Sequence, residues 1–218
     1  MNYYQLGQKY KISNNKNSND QFLDWFNDSN NISIKNMGGI RWRVYQNITI
    51  PNLLPSLIIL FDNLTKKGTP ENPWSESYFD EDLKTLQYPG DAKKNSKKKF
   101  PHEFVGNKQL LKCRDTLLQG NQEYIPPILF FKIPQAGWAQ FCGLYKFENI
   151  HDYFDGHAGV ENYMYECSKI NLERVSVNWL RDRALCSDFN KIDMSAPKEW
   201  IQRSKIIDFN SYLKSDLF

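Results

Sequence analysis

The stretch IPPILFFKIPQAGWAQFCGLYKF, residues 125–147, decides how the chain folds. Its first part, 125–133, is almost wholly apolar with prolines at its mouth, the pattern of a strand covered on both faces. Gln135, Ala136 and Gly137 supply a turn, and 138–147 runs on as a second strand, so the pair reads as a β-hairpin. Downstream, 160–170 alternates through Tyr163 and Tyr165 as another strand, 174–180 reads as the next, and Ala196-Pro197 opens a closing helix over 197–207. Upstream, 107–118 has helical spacing, with Leu110, Leu111, Leu117 and Leu118 apolar against Lys108, Lys112 and Arg114, and Gly120-Asn121 stops it. Before it, 57–61 is a short apolar strand, 40–50 alternates through Trp42, Val44 and Ile48, 36–39 is a turn, 32–34 a strand, and 21–26 one or two helical turns. Residues 62–91 read as irregular, punctuated by Gly68, Pro70, Pro73, Pro89 and Gly90. Regular helices do not separate the strands, which argues against a doubly wound parallel sheet. The expected class is α+β: a curved, mostly antiparallel β-sheet or open barrel with flanking helices. We expect one domain over 1–218, with an N-terminal extension at 1–31, a core at 32–207 and a tail at 208–218.

The totals agree with a packed chain. At 218 residues it buries a core, and 40% hydrophobic with 24% charged residues places it among globular rather than disordered sequences. The net charge of +3 is small, so its distribution matters more than its sum. Lysines crowd 93–99, further cations stand at Arg41, Arg43, Lys108, Lys112 and Arg114, and acid gathers at Asp80, Glu81 and Asp82. Cys113, Cys142, Cys167 and Cys186 match no zinc spacing. Residues 1–14 hold no apolar leader, so free, mostly buried thiols in a reducing, cytoplasmic compartment are expected. The longest apolar run, 48–61, is broken by Pro51 and Pro55 and is too short to span a bilayer, so no membrane partner is expected.

The sharpest local feature is Tyr88-Pro89-Gly90-Asp91-Ala92-Lys93. Alone it is a tight turn with a self-capping Asp. Its flanks change the reading. Trp74 and Tyr78 lie upstream in an irregular segment, and the lysine tract follows directly. A site that takes a base out of a duplex needs ring faces to replace lost stacking, a polar group for the Watson–Crick edge, and cations for the distorted backbone. A carboxylate suits the cytosine amino donor. Trp74, Tyr78, Tyr88, Asp91 and Lys93 supply all three. The rival reading is chemical: Asp91-Ala92-Lys93 fits the D/E-x-K half of a magnesium-dependent nuclease, with Asp80 or Asp82 as a second acid. Against it, such a motif belongs inside an apolar strand, whereas this one follows Pro-Gly and runs into lysines. A third reading is a protein-interaction domain whose basic loop is incidental. His151, Asp152, His157 and Asn162 match no ligand spacing and read as loop residues around Gly156, and Cys142 reads as core. There is no phosphate-binding glycine loop and no G-x-S-x-G elbow.

The ordered series Gly38-Gly39-Ile40-Arg41, Tyr88-Pro89-Gly90-Asp91, Gly106-Asn107-Lys108, Pro126-Pro127-Ile128-Leu129-Phe130-Phe131 and Phe141-Cys142-Gly143-Leu144 resembles the N-terminal recognition domain of the AspBHI/MspJI-type modification-dependent restriction endonucleases. Ala196-Pro197-Lys198-Glu199-Trp200 resembles that family's closing segment, and the likeness spans 34–205. The resemblance implies an SRA-like fold, a curved β-barrel that holds a flipped 5-methylcytosine. It implies double-stranded DNA with a modified base as partner, 5-methylcytosine or 5-hydroxymethylcytosine. By that match Asp91 and Tyr88 would grip the base, Trp74 would add a second ring face, and Arg41, Lys93 and Lys108 would meet the DNA backbone or grooves; the local cluster adds Tyr78 to the pocket, and the charge distribution adds Arg43, Lys94, Lys97, Lys98 and Lys99 to the contacts. Such endonucleases carry a separate cleavage domain after this one, so a nuclease domain or subunit is expected as a partner. No catalytic residue, metal or cofactor is expected in the reader itself.

Overall fold

The computed structural model describes residues 2–13, 21–26, 38–45, 54–70, 72–82, 84–94 and 96–204. The hairpin at its centre is formed by β7 (Ile128–Gln135) and β8 (Trp138–Asp155), which pair antiparallel around Ala136-Gly137. β8 continues well past Phe147, because its partner β9 (Val160–Ile170) pairs with it from Leu144 through Asp155. On the other side of β7 lies β4 (Pro55–Asn63), and this pair is parallel. β3 (Ile40–Val44) closes that edge. Beyond β9 come β6 (Thr85–Pro89) and β5 (Tyr78–Asp80). The order β3-β4-β7-β8-β9-β6-β5 is open, with β2 (Lys9–Lys11) added against β8. The fold is α+β, a mostly antiparallel open sheet with few helices.

Alternation across the central strands explains their unbroken apolarity. Leu57, Ile59 and Phe61 face one core with Leu129, Phe131 and Phe141, while Ile58 and Leu60 face a second with Ile128, Phe130 and Phe147. The first core is closed by Tyr4, Phe22, Trp179 and Trp200, the second by Leu110, Cys113 and Leu117 of α1 (Val105–Leu118).

Three expectations need correction. Residues 1–31 are not wholly an appendage: β1 (Tyr3–Gln5) pairs with β10 (Arg174–Ser176), β2 with β8, and Tyr4 is fully buried. The 62–91 segment is not irregular throughout, since it holds β5 and β6. Residues 174–180 are not one strand: β10 gives way to α2 (Val177–Leu185), because the Ser176 hydroxyl accepts from Trp179 N at 3.3 Å and caps a helix there. The sheet also contains one parallel pair among its described strands. The turns at 21–26 are 3₁₀, and the closing helix is α3 (Lys198–Ser204). The strand at 32–34, the end of the one at 40–50, residues 36–37, 205–207 and the tail lie outside the described residues. All four cysteines are free, Cys113 and Cys167 fully buried. No helix among the described residues is long and apolar enough to cross a membrane, which says nothing of β-barrels.

Candidate base-binding cavity

One side of the sheet opens into a cavity of about 460 Å³ where the ends of β4 and β6 meet the turn before β3. Phe61, Trp74 and Tyr88 give it ring faces, Asp62 and Asp91 give it carboxylates, and Arg41, Lys67 and Lys93 give it cations.

Tyr88 is placed by packing. It is the penultimate residue of β6, is buried, and its hydroxyl donates to Phe61 O at 2.8 Å. Burial, together with Asp62 and Asp91 nearby, pushes its phenol well above the ordinary range, so it stays a neutral donor. The slot for that hydroxyl exists because position 39 lacks a side chain: a Cβ there would stand 2.5 Å from Tyr88 Oη. Gly90 is required in the same way, since a Cβ would collide with Asn162 and Asn107. Asn162 Nδ2 donates to Gly90 O at 2.9 Å, and Asn107 Oδ1 accepts from Asp91 N at 2.8 Å.

Asp91 reaches beyond its own turn. Its carboxylate accepts from Gly106 N at 2.9 Å and Asn107 N at 3.1 Å, first-turn N–H groups of α1 that have no partner within the helix. Phe104, the residue before that helix, has no side-chain cap of its own, so Asp91 supplies it from a distance. Burial raises the Asp91 carboxyl above its ordinary pKa; the two N–H donors and Lys98 pull the other way without prevailing.

Trp74 is held by polar ties to three elements. Its Nε1 donates to Ala92 O at 2.6 Å. Its neighbour Ser75 donates N–H (3.2 Å) and hydroxyl (3.0 Å) to Asp155 at the far end of β8, and Lys67 Nζ donates to Ser75 O at 2.7 Å. Ser77 donates backbone N–H to Asp62 at 2.9 Å, and Lys67 Nζ lies 2.7 Å from the other Asp62 oxygen.

The cavity therefore gathers Tyr88, Asp91, Trp74, Arg41 and Lys93. Tyr78 does not line it; its side chain is 60% exposed on the edge strand β5. Arg41 is a wall element, with its guanidinium 3.9 Å from the Phe61 ring centroid, rather than a surface cation. Arg43 is 3% exposed, too deep to meet a phosphate. Lys93, Lys94, Lys97, Lys99 and Lys108 are exposed, and Lys98 is half-buried over Phe104 at 5.0 Å. Sequence reasoning gave no site role to Asp62, Phe61, Lys67, Asn107, Asn162 or Asp155. Asp62 carried a local signal, an acid directly after the apolar run of β4; Asn107 stood in the Gly106-Asn107-Lys108 motif; and Asn162, read as a loop residue, lies fully buried in β9.

The second acid of the nuclease reading does not join Asp91 in the cavity. Asp80 and Asp82 are not among the residues lining the cavity, and Asp91 faces the positive end of α1, where a cation is disfavoured. Among the described residues no group of three His, Cys, Asp or Glu side chains is disposed to hold a metal.

The sequence profile of the family described as restriction endonuclease AspBHI N-terminal matches residues 4–212. Among solved structures, the MspJI restriction endonuclease in complex with a 27-mer oligonucleotide superposes with a TM-score of 0.72 at 20% identity, over 93% of this chain and 51% of that one. The DNA modification-dependent restriction endonuclease AspBHI gives 0.64 at 18% identity, over 92% of this chain and 50% of that one. The DNA recognition domain of the cytosine modification-dependent restriction endonuclease LpnPI gives 0.61 at 18%, over 93% and 88%. At these identities the likeness is one of fold, and the chain spans about half the length of the MspJI and AspBHI chains. Among curated proteins none matches.

Proposed function

The chain belongs to the restriction endonuclease AspBHI N-terminal family, and from that premise we propose that it reads a modified cytosine in duplex DNA by taking the base into the cavity described above. The observation that carries the reading is the cavity itself: three ring faces and two carboxylates in about 460 Å³, beside exposed Lys93. Extruding a base costs a few kcal/mol, and aromatic stacking returns about 1–3 kcal/mol per base. Trp74 and Tyr88 supply the faces. A carboxylate oxygen has two lone-pair sites, so each Asp91 oxygen, holding one helix N–H, keeps an acceptor site for the cytosine amino group. Lys93, Lys94, Lys97, Lys99 and Lys108 meet the phosphates. The chain acts as the specificity module of a modification-dependent restriction system, and cleavage belongs to a nuclease domain or subunit outside it. A DNA partner and four free thiols fit a reducing, cytoplasmic setting.

The test is competition binding of the full chain to duplexes differing only in cytosine, 5-methylcytosine or 5-hydroxymethylcytosine at one position, with and without magnesium. A modified duplex winning by tenfold or more supports the reading, and equal binding defeats it. Strand cleavage by this chain alone would favour the magnesium-nuclease alternative. No affinity for any duplex at low salt, where phosphate contacts are strongest, would favour a protein-interaction role.

A further inference from the structure

The described residues between β6 and α1, 92–94 and 96–104, leave the cavity wall at Lys93 and come back to Asp91 at the start of α1. The segment starts beside Asp91, and the helix that ends it is held by the Asp91 carboxylate through Gly106 N and Asn107 N. Asn107 Nδ2 adds a tie to Pro101 O at 2.9 Å. At the turn, the Glu103 carboxylate accepts from Lys99 N at 2.6 Å and Phe100 N at 2.8 Å, which fixes the backbone carrying Phe100. The Phe100 side chain is nevertheless 57% exposed, and its ring lies parallel to that of His102, with centroids 5.5 Å apart and planes 6° apart. Lys97 and Lys99 are exposed on the same loop, and Lys108 one turn into the helix.

A lone exposed aromatic needs no explanation. This one sits on a tied backbone, is already stacked, shares its segment with exposed Lys97 and Lys99, and follows Lys93 of the cavity wall in the chain. We propose that the Phe100–His102 stack receives the guanine left without a partner when the cytosine is extruded. The inference rests on the base-reading function above. Extrusion leaves two exposed ring systems, the base that moves and the base that stays, and the cavity accommodates only the first. Apolar side chains entering a base step and ring faces stacking on an unpaired base are the usual means of holding the second. The lysines of the loop bring it against the polyanion.

The experiment uses the full chain, with Phe100→Ala and Phe100→Trp, and measures binding to two duplexes by fluorescence anisotropy. One duplex carries 5-methylcytosine opposite guanine, the other 5-methylcytosine opposite an abasic site. Phe100→Ala should weaken binding to the first about tenfold, one stacking interaction, and leave the second within about twofold, because no orphan base remains there. Phe100→Trp should restore the first. Equal losses on both duplexes, or no loss on the first, overturn the inference. Failure of the underlying reading shows differently: the unsubstituted chain would not distinguish 5-methylcytosine from cytosine.

Discussion

Two carboxylates, Asp155 at the tip of the β8–β9 hairpin and Asp91 at the junction of β6 with α1, each hold one wall of the same cavity, and they do it differently. Asp155 is fully buried and accepts from five donors: Ser75 N, Ser75 Oγ, Tyr153 Oη, His157 N and Ala158 N. Burial raises its pKa, but the donors, led by Tyr153, outweigh that and leave the carboxyl below its ordinary value. Asp91 accepts from two backbone N–H groups of α1, and there burial prevails, leaving the carboxyl above its ordinary value. The donor count separates a saturated anchor from an acid with acceptor capacity to spare. A buried carboxylate with few donors is the one a ligand can use.

The comparison is broken most sharply at Asp155. Asp155→Asn turns an amide N–H toward several existing donors and should cost about 3 kcal/mol of stability, within the range for charged buried hydrogen bonds, measured by urea unfolding. A smaller loss than that of Asp91→Asn would refute the distinction. Asp91→Asn should cost about 1–2 kcal/mol, because one of two helix N–H bonds is disturbed, while abolishing the preference for modified over unmodified duplex. If preference survives with the helix intact, Asp91 is purely a cap. The pH dependences should run in opposite senses. Asp155, depressed in the folded state, contributes stability that is present above its unfolded pKa and lost as pH falls through its folded one. Asp91, raised in the folded state, binds its proton more tightly than the unfolded chain does. Its contribution therefore declines as pH rises from the ordinary carboxylate pKa through its own. Subtracting each Asn variant from the unsubstituted protein across that acid range isolates the two signs. Trp74→Ala should weaken binding to modified duplex about tenfold, the loss of one stacking face, with little effect on unmodified DNA. Tyr78→Ala should change stability and affinity by less than about 0.5 kcal/mol, since Tyr78 is exposed and away from the cavity.

What could be read in the sequence tracks how local its cause is. The β7–β8 hairpin is legible because two apolar runs flank a Gly-containing turn, and the pairing partner lies within reach of that turn. The parallel β4–β7 pair is not, because nothing in 57–61 says which distant strand it meets. Val175 and Val177 suggest a strand through Leu180, but Ser176 between them caps a helix, and one side-chain oxygen overrides the alternation. β5 and β6 escape notice because acids and Pro-Gly flank them. In the cavity, Tyr88, Asp91 and Lys93 were visible as a cluster around one turn. Asp155 was invisible, because it acts on Ser75 from 80 positions away.

The tightness around Gly39 and Gly90 has a practical consequence for anyone wishing to reshape the cavity. Enlarging residue 39 drives atoms into the Tyr88 hydroxyl, and enlarging residue 90 drives them into two asparagines. Those walls tolerate no growth inward. The segment around Trp74 is different, being half-buried and tied through side chains and single carbonyls rather than through a sheet ladder. Reshaping of the cavity should therefore begin at Trp74, keep the ties of Ser75 to Asp155 and of Ser77 to Asp62, and leave the glycines alone.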